Sequence, residues 1–423
     1  MRSLVVALSI VVLTCVPSSA QWRQFRGPNA NGVAEAANLP VEFSETNNLR
    51  WRAALPGPGA SSPIVLGDRV FVTCFTGYGV DADAAPNDLV RHLVCVSLTD
   101  GTIQWSTPIK NEATPTRYGG YLRDHGYASS TPVTDGKFIF VFAGKSGVYA
   151  FDLEGKQRWR RSVGTESAMN NWGSAASPIV YNGKVIVNAN AESSKIYALN
   201  AEDGEVAWEA TASSAYGSWA TPVVAKGEGD SVELLINVPY EVWSMNPDDG
   251  SLNWYAEATS RGPVNPSVVV QDGIVYALGS RGGGSVAIKM GGKDDISKTN
   301  IRWKAQANSY VPSPIVHGKY LYVISDSGIA TCLNTSDGEE VYQSRLDGAG
   351  GRSAVYASPV LADGKIYVTT RRNGVVVLAA GGEFKQLARN VFAEDKSLFN
   401  GSPAVVDDTL LIRSDKYLYR IGK

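Results

Sequence analysis

The sequence predicts an all-β fold, an eight-bladed β-propeller of four-stranded antiparallel blades, and three observations carry that prediction. A small or polar residue followed by Pro and an alternating apolar strand recurs at Ser62-Pro63, Thr131-Pro132, Ser177-Pro178, Thr221-Pro222, Asn265-Pro266, Ser313-Pro314, Ser358-Pro359 and Ser402-Pro403. After a first step of 69 residues, the remaining steps run from 44 to 48. A tight turn leading to Trp shares this period: "TDGTIQW" ends at Trp105, "LEGKQRW" at Trp159, "EDGEVAW" at Trp208, "DDGSLNW" at Trp254 and "KTNIRW" at Trp303. Finally, the eighth repeat stops after three strands, whereas an orphan Trp strand, "NNLRWRAAL" at 47–55, stands before the first repeat. Such a period marks units that each bury an apolar face on their neighbours.

Taken in order, residues 1–20 read as an export signal: Arg2, an apolar run from Leu4 to Val16, and small residues at Ser18 and Ala20, with cleavage expected near Ala20. Thr14 is a poor fit to the small residue that a lipid-anchoring signal carries before Cys15. Residues 21–46 form an N-terminal arm and 47–423 the propeller. Within each repeat the Pro opens the innermost strand. An Asp-Gly or Asn-Gly turn follows, as in "PVTDGKFIFVF" (132–142), because those residues accept positive φ. A third strand comes next, as in "KIYALNA" (195–201), and the Trp strand is outermost. Each Trp is expected to bury its ring between blades, contributing at most roughly 4–6 kcal/mol for about 150–250 Å² removed from water. The sixth repeat has Tyr342 at that place and the seventh, "AAGGEFKQLA", no aromatic, so weaker blade contacts are expected there. The orphan strand should complete the last blade and so remove two free sheet edges. The excess length of the first step lies at 76–92 and 110–124, loops on a rigid scaffold and therefore suspects for function.

Composition narrows the partners. A formal charge of −2, with Lys and Arg scattered, provides no basic stripe for nucleic acid. No run approaches the roughly 20 apolar residues that a transmembrane helix needs. A monomer in the periplasm or at the cell surface is expected. Without Cys15 the chain keeps Cys74, Cys95 and Cys332, an odd set that excludes a disulfide framework. Cys74 and Cys95 lie in neighbouring strands, where one bridge forms if they face each other.

Residues leading into the innermost strands converge on one mouth of the channel. They are Tyr127, Trp172, Trp219, Asn265, Tyr310, Tyr356 and Asn400, with Arg117, His125, Asn171, Arg261 and Arg352 close by. Aromatics, amides and guanidinium groups there suit a polar small molecule, a peptide or an anion, or else pack the funnel and satisfy loop backbone. His125 beside Ser129 and Ser130 looks like a base and a nucleophile. Adjacency, however, supplies neither a group orienting the base nor an oxyanion hole, and the Ser/Thr recurs with the repeat. His92 and His317 lack metal-ligand spacing. "DADAAPND" (81–88) lacks the Gly of an EF-type loop, and "GSRGGGSVAIK" (279–289) links strands as a hairpin turn rather than opening a phosphate-binding helix. No catalytic or metal-ligating set emerges.

"QFRGPNANGVA" at 24–34, "HGYASSTP" at 125–132, "WGSAASPIV" at 172–180 and the repeated Asp-Gly…Trp unit resemble the exported PQQ-like β-propeller repeat proteins. That family is related in fold to the quinoprotein alcohol dehydrogenases and to BamB-type outer-membrane assembly proteins. The resemblance implies either a cofactor-free binding module or a quinoprotein that stacks pyrroloquinoline quinone on a Trp and chelates it with Ca²⁺. The adjacent Cys pair of many quinoproteins is missing here, and no catalytic Asp or Ca²⁺ cage maps onto this chain. The expectation is an exported non-catalytic propeller that binds a protein, peptide or glycan. The alternatives are a PQQ-dependent dehydrogenase with a divergent site and a BamB-like factor in outer-membrane protein assembly. Fold alone does not decide among them.

Overall fold

A computed structural model describes residues 21–423 apart from 37, 228, 230, 260, 261 and 352; the proposed signal at 1–20 lies outside the described residues. Eight antiparallel sheets follow one another around a ring. In blade 1 the strands Ile64–Leu66, Arg69–Thr76, Val90–Ser97 and Ile103–Ile109 run outward from the axis, and blades 2 to 7 repeat this order. Blade 8 takes its outermost strand from the other end of the chain, Leu49–Ala54 pairing antiparallel with Tyr417–Ile421. The ring is therefore closed by main-chain hydrogen bonds between the two ends of the propeller.

The Asp-Gly…Trp unit works as a latch between blades. Trp159 of blade 2 donates its indole N–H to the Ala201 carbonyl of blade 3 at 2.9 Å, and Gly204 of that same turn lies flat on the ring. Gly204 has φ +72°, and a Cβ there would stand 2.6 Å from the indole, so both its conformation and its neighbour require glycine. Trp51 with Leu98, Trp208 with Pro247 and Trp303 with Thr335 repeat the bond at 2.7, 3.0 and 2.9 Å.

The seams without Trp are filled differently from the weak contacts expected. Tyr342 meets Phe384 edge-on at 5.7 Å between blades 6 and 7. Between blades 7 and 8, Phe43 of the N-terminal arm joins Phe392, Phe399 and Tyr419, with Phe392 and Tyr419 only 4.4 Å apart. Rings of the repeats themselves fill the first of these seams, and rings from the arm and the connection between blades 7 and 8 join Tyr419 in the second.

Two further expectations are corrected. Cys74 and Cys95 form no bridge: both are free and buried. Cys95 pairs across the sheet with Phe71, three residues from Cys74, so the two side chains leave opposite faces. Cys74 lies 3.4 Å from the Arg413 guanidinium of blade 8, whereas Cys95 points to Gln104. In blade 5 the residue equivalent to Thr131 or Ser177 is Ser267, not Asn265, because Pro266 precedes the hydroxyl residue instead of following it.

The arm is part of the ring's interior. Gln21–Trp22 adds to the innermost strand of blade 1, and Val33–Ala34 runs parallel to that of blade 7. Between them "QFRGPNANG" folds into a knot of turns that reaches across the channel. Arg23 accepts the Thr134 N–H of blade 2, and Arg26 donates to the Pro314 carbonyl of blade 6. Trp22 is buried against Gly27, whose Cβ would lie 2.7 Å from the ring.

Candidate functional site

At each strand start, one hydroxyl side chain faces the axis. The backbone N–H of Ser62 donates to Thr131 Oγ1, Thr131 to Ser177, Ser177 to Thr221, and Thr221 to Ser267. Ser267 donates to Ser313, Ser313 to Ser358, Ser358 to Ser402, and Ser402 back to Ser62. These eight bonds of 2.8–3.1 Å close a circle around the channel. Each hydroxyl oxygen accepts, leaving its own hydrogen free to turn.

Two residues upstream lies a second ring, Ala60, Ser129, Ala175, Trp219, Asn265, Val311, Tyr356 and Asn400. Phe25, from the tip of the arm, forms the floor. Tyr121, His125, Trp172 and Tyr310 complete a cavity of about 150 Å³ between the two closures.

The lid is the 110–124 insertion, whose last turn, Leu122–His125, folds back over the mouth. Tyr121 meets Trp172 of blade 3 edge-on at 4.9 Å and Tyr310 of blade 6 at 5.9 Å. Asp124 receives Arg371 of blade 7 at 2.9 Å, while its carbonyl accepts the Asn400 amide of blade 8 at 2.7 Å. Arg371 lies over the Tyr356 ring at 4.2 Å. A second clasp of the same kind joins Arg281 to Asp326 at 2.7 Å, with Arg281 4.1 Å above Tyr310. Both of these arginines are thus already paired.

His125 is held from both sides. Its Nε2 faces the Trp172 carbonyl at 2.9 Å, so that nitrogen carries the proton and Nδ1 accepts the Ser129 hydroxyl. Burial pushes its pKa down, which keeps the imidazole neutral. The Ser–His contact that the sequence adjacency raised is therefore present. Its far nitrogen nevertheless meets a neutral carbonyl rather than a carboxylate, and the nearby Thr131 N–H is spent on Ser177.

Seven of the twelve residues expected at the mouth line this cavity: His125, Trp172, Trp219, Asn265, Tyr310, Tyr356 and Asn400. Tyr127 does not. It stacks with Phe75, Tyr78 and Tyr118 under the two inserted loops, because its ring leaves the opposite side of the strand start. Arg117 and Asn171 lie with Arg123 in a shallow hollow on the outer side of the lid. Arg261 and Arg352 fall outside the described residues.

A family model described as "Outer membrane protein assembly factor BamB" matches residues 90–344. The chain belongs to this family of PQQ-like propellers. Among curated relatives, the BamB proteins of Yersinia pestis and Moranella endobia (strain PCIT) are each 23% identical. The matches cover 65% and 60% of this chain and 70% and 65% of theirs. The crystal structure of BamB from Moraxella catarrhalis superposes with a TM-score of 0.64 at 15% identity, over 89% of this chain and 97% of that one. A europium-containing methanol dehydrogenase gives 0.65 at 12% identity, over 95% and 89%. At such identities the structural likeness speaks for the fold alone.

In this PQQ-like propeller several residues of the mouth had no sequence flag of their own. Phe25 sits inside the "QFRGPNANGVA" stretch and Tyr121 inside the insertion, but neither belongs to the repeat. Arg281 and Arg371 follow the second strands of blades 5 and 7, in "GSRGGG" and "TTRRNG". That shared position was the available signal, since those turns open on the same face as the strand starts.

Proposed function

We propose that this chain is an exported, non-catalytic propeller that holds a protein partner, in the outer-membrane protein assembly role that the BamB name describes. Family membership supports this reading. The observation that carries it is the gathering of both insertions on one face. Phe75, Tyr78, Tyr118 and Tyr127 pack the 77–89 loop against the 110–124 segment, and Val80 is presented 46% exposed at the loop's tip. A rigid disc with an aromatic-supported apolar tip is suited to docking.

The cavity lining does not fit a calcium-chelated quinone. No carboxylate among the described residues faces it, and Asp124 and Asp326 at its mouth are each committed to an arginine. Among the described residues no three His, Cys, Asp or Glu side chains converge as a metal site. The Ser129–His125 contact favours a second reading, acyl transfer. It predicts covalent labelling of Ser129 by a fluorophosphonate, whereas a structural hydroxyl stays unlabelled.

A photo-crosslinker placed at Val80 is expected to capture a component of the barrel-assembly machinery in the native envelope, and depletion of the chain is expected to lower outer-membrane β-barrel protein levels. Unchanged barrel levels together with dye-linked alcohol oxidation after adding PQQ and Ca²⁺ would overturn the reading.

A further inference from the structure

We infer that the cavity between Phe25 and Tyr121 is a binding site for one small, uncharged, oxygen-rich ring, a neutral polyol of monosaccharide size. This site is independent of the protein partner proposed above. Three features select that class.

First, the Ser62-to-Ser402 circle supplies hydroxyl donors. Closing the ring of blades uses these oxygens only as acceptors, and none of the eight hydroxyls donates to a protein acceptor among the described residues. Donors converging on one axis suit a ligand with oxygens around its rim. Asn265 adds the complementary function: its amide nitrogen is held by the Tyr310 carbonyl at 2.8 Å, which leaves its Oδ1 to accept a ligand hydroxyl.

Second, no charged side chain among the described residues lines the space. Arg281 and Arg371 are paired at its rim with Asp326 and Asp124, and burial keeps His125 neutral. A phosphate, a carboxylate or an ammonium would enter without a counter-charge, which burial penalises heavily.

Third, the largest side chains of the remaining lining are aromatic. Trp172 and Trp219 lie 5.3 Å apart at 35°, with Tyr121, Tyr310 and Tyr356 opposite or above. Water gains little from such faces, whereas the C–H face of a saturated ring packs on them while its hydroxyls reach sideways to the donors. A volume of about 150 Å³ is that of a cavity admitting a single six-membered ring.

The test titrates the purified full-length chain with D-glucose, D-galactose, D-mannose and myo-inositol. The fluorescence of Trp172 and Trp219 and saturation-transfer NMR report occupancy. At least one of the four is expected to bind saturably, with Trp172→Ala weakening it about tenfold or more. Single-deoxy analogues of the best binder are expected to lose about tenfold where the missing hydroxyl met the Ser/Thr circle, a readout that leaves the protein unaltered. Saturable binding of indole with no response to any polyol would overturn the inference. So would binding of gluconate as tight as that of glucose, affinity unchanged across the deoxy series, or no saturable response to any of the four.

Discussion

The channel is closed at both ends, and the two closures differ in kind. The floor is made by the arm, which is knitted into the ring by strand pairing with blades 1 and 7 and by buried Trp22 and Arg26. The lid is the 110–124 segment, ending in the helical turn 122–125, with no strand pairing; a partly exposed ion pair, side-chain hydrogen bonds and ring edges hold it to blades 3, 6, 7 and 8. Opening energy follows the number of buried contacts and cooperative backbone bonds. The floor should therefore yield only with the whole propeller, whereas the lid should open alone.

The sharpest way to break that contrast is Trp22→Ala. The ring is fully buried, and core truncations of this size cost about 3–5 kcal/mol. The expected result is a lower denaturant midpoint for global unfolding, with backbone exchange of the Arg69–Thr76 strand accelerated to match. A loss under about 1 kcal/mol, within the range of surface substitutions, would make the arm an appendage. Arg26→Met separates packing from charge. The guanidinium is pushed down to about 9 by burial, and Nε and Nη1 have no partner among the described residues, so its replacement should cost less than that of Trp22.

The same division governs what could be read from the sequence. Blade number, the closing strand and the Trp latch were legible because each rests on a period, and periodicity is what a repeat writes into a chain. The hydroxyl circle was visible as punctuation, but seven of its bonds join residues 44 to 69 positions apart and the closing one, Ser402 to Ser62, joins residues 340 apart. Only the closed ring shows that Ser267, and not Asn265, completes it. Floor and lid obey no period. Arg261 and Arg352 were favoured for nearness in sequence, whereas Arg281 and Arg371 reach the mouth from turns that the pleat brings to the same face. Tyr127 and Trp172 both precede an innermost strand, yet one packs outward under the loops and the other lines the cavity.

Glu192 tests the seat on which the lid rests. It is fully buried in the short turn 190–193 and accepts the Ser174 hydroxyl, while Gly173 touches Leu122 of the lid. Desolvation raises its pKa to about 7. The folded protein therefore holds this proton more tightly than the unfolded chain does. Its stabilising contribution is complete below the usual carboxylate value of 4.5 and is lost as pH rises through about 7. The difference corresponds to up to about 3 kcal/mol. Glu192→Gln should flatten the fall in stability between pH 5 and 7.5, as followed by urea unfolding across that range (~2 pH units). An unchanged slope would relieve Glu192 of that role.

The smallest global effect belongs to Asp124→Asn. The Asp124 side chain is 35% exposed and Arg371 is 9% exposed, so the pair is partly screened and worth about 1 kcal/mol. Unfolding midpoints should barely move. Local opening should respond more, because the lid has no strand pairing and each 1.4 kcal/mol changes its open population about tenfold. The Arg123 side chain is exposed, but tryptic cleavage there requires the turn 122–125 to unwind, so it should speed up several-fold in the variant while cuts elsewhere stay slow. If Asp124→Asn leaves cleavage at Arg123 unchanged, Tyr121 and its ring contacts, rather than the ion pair, hold the lid down.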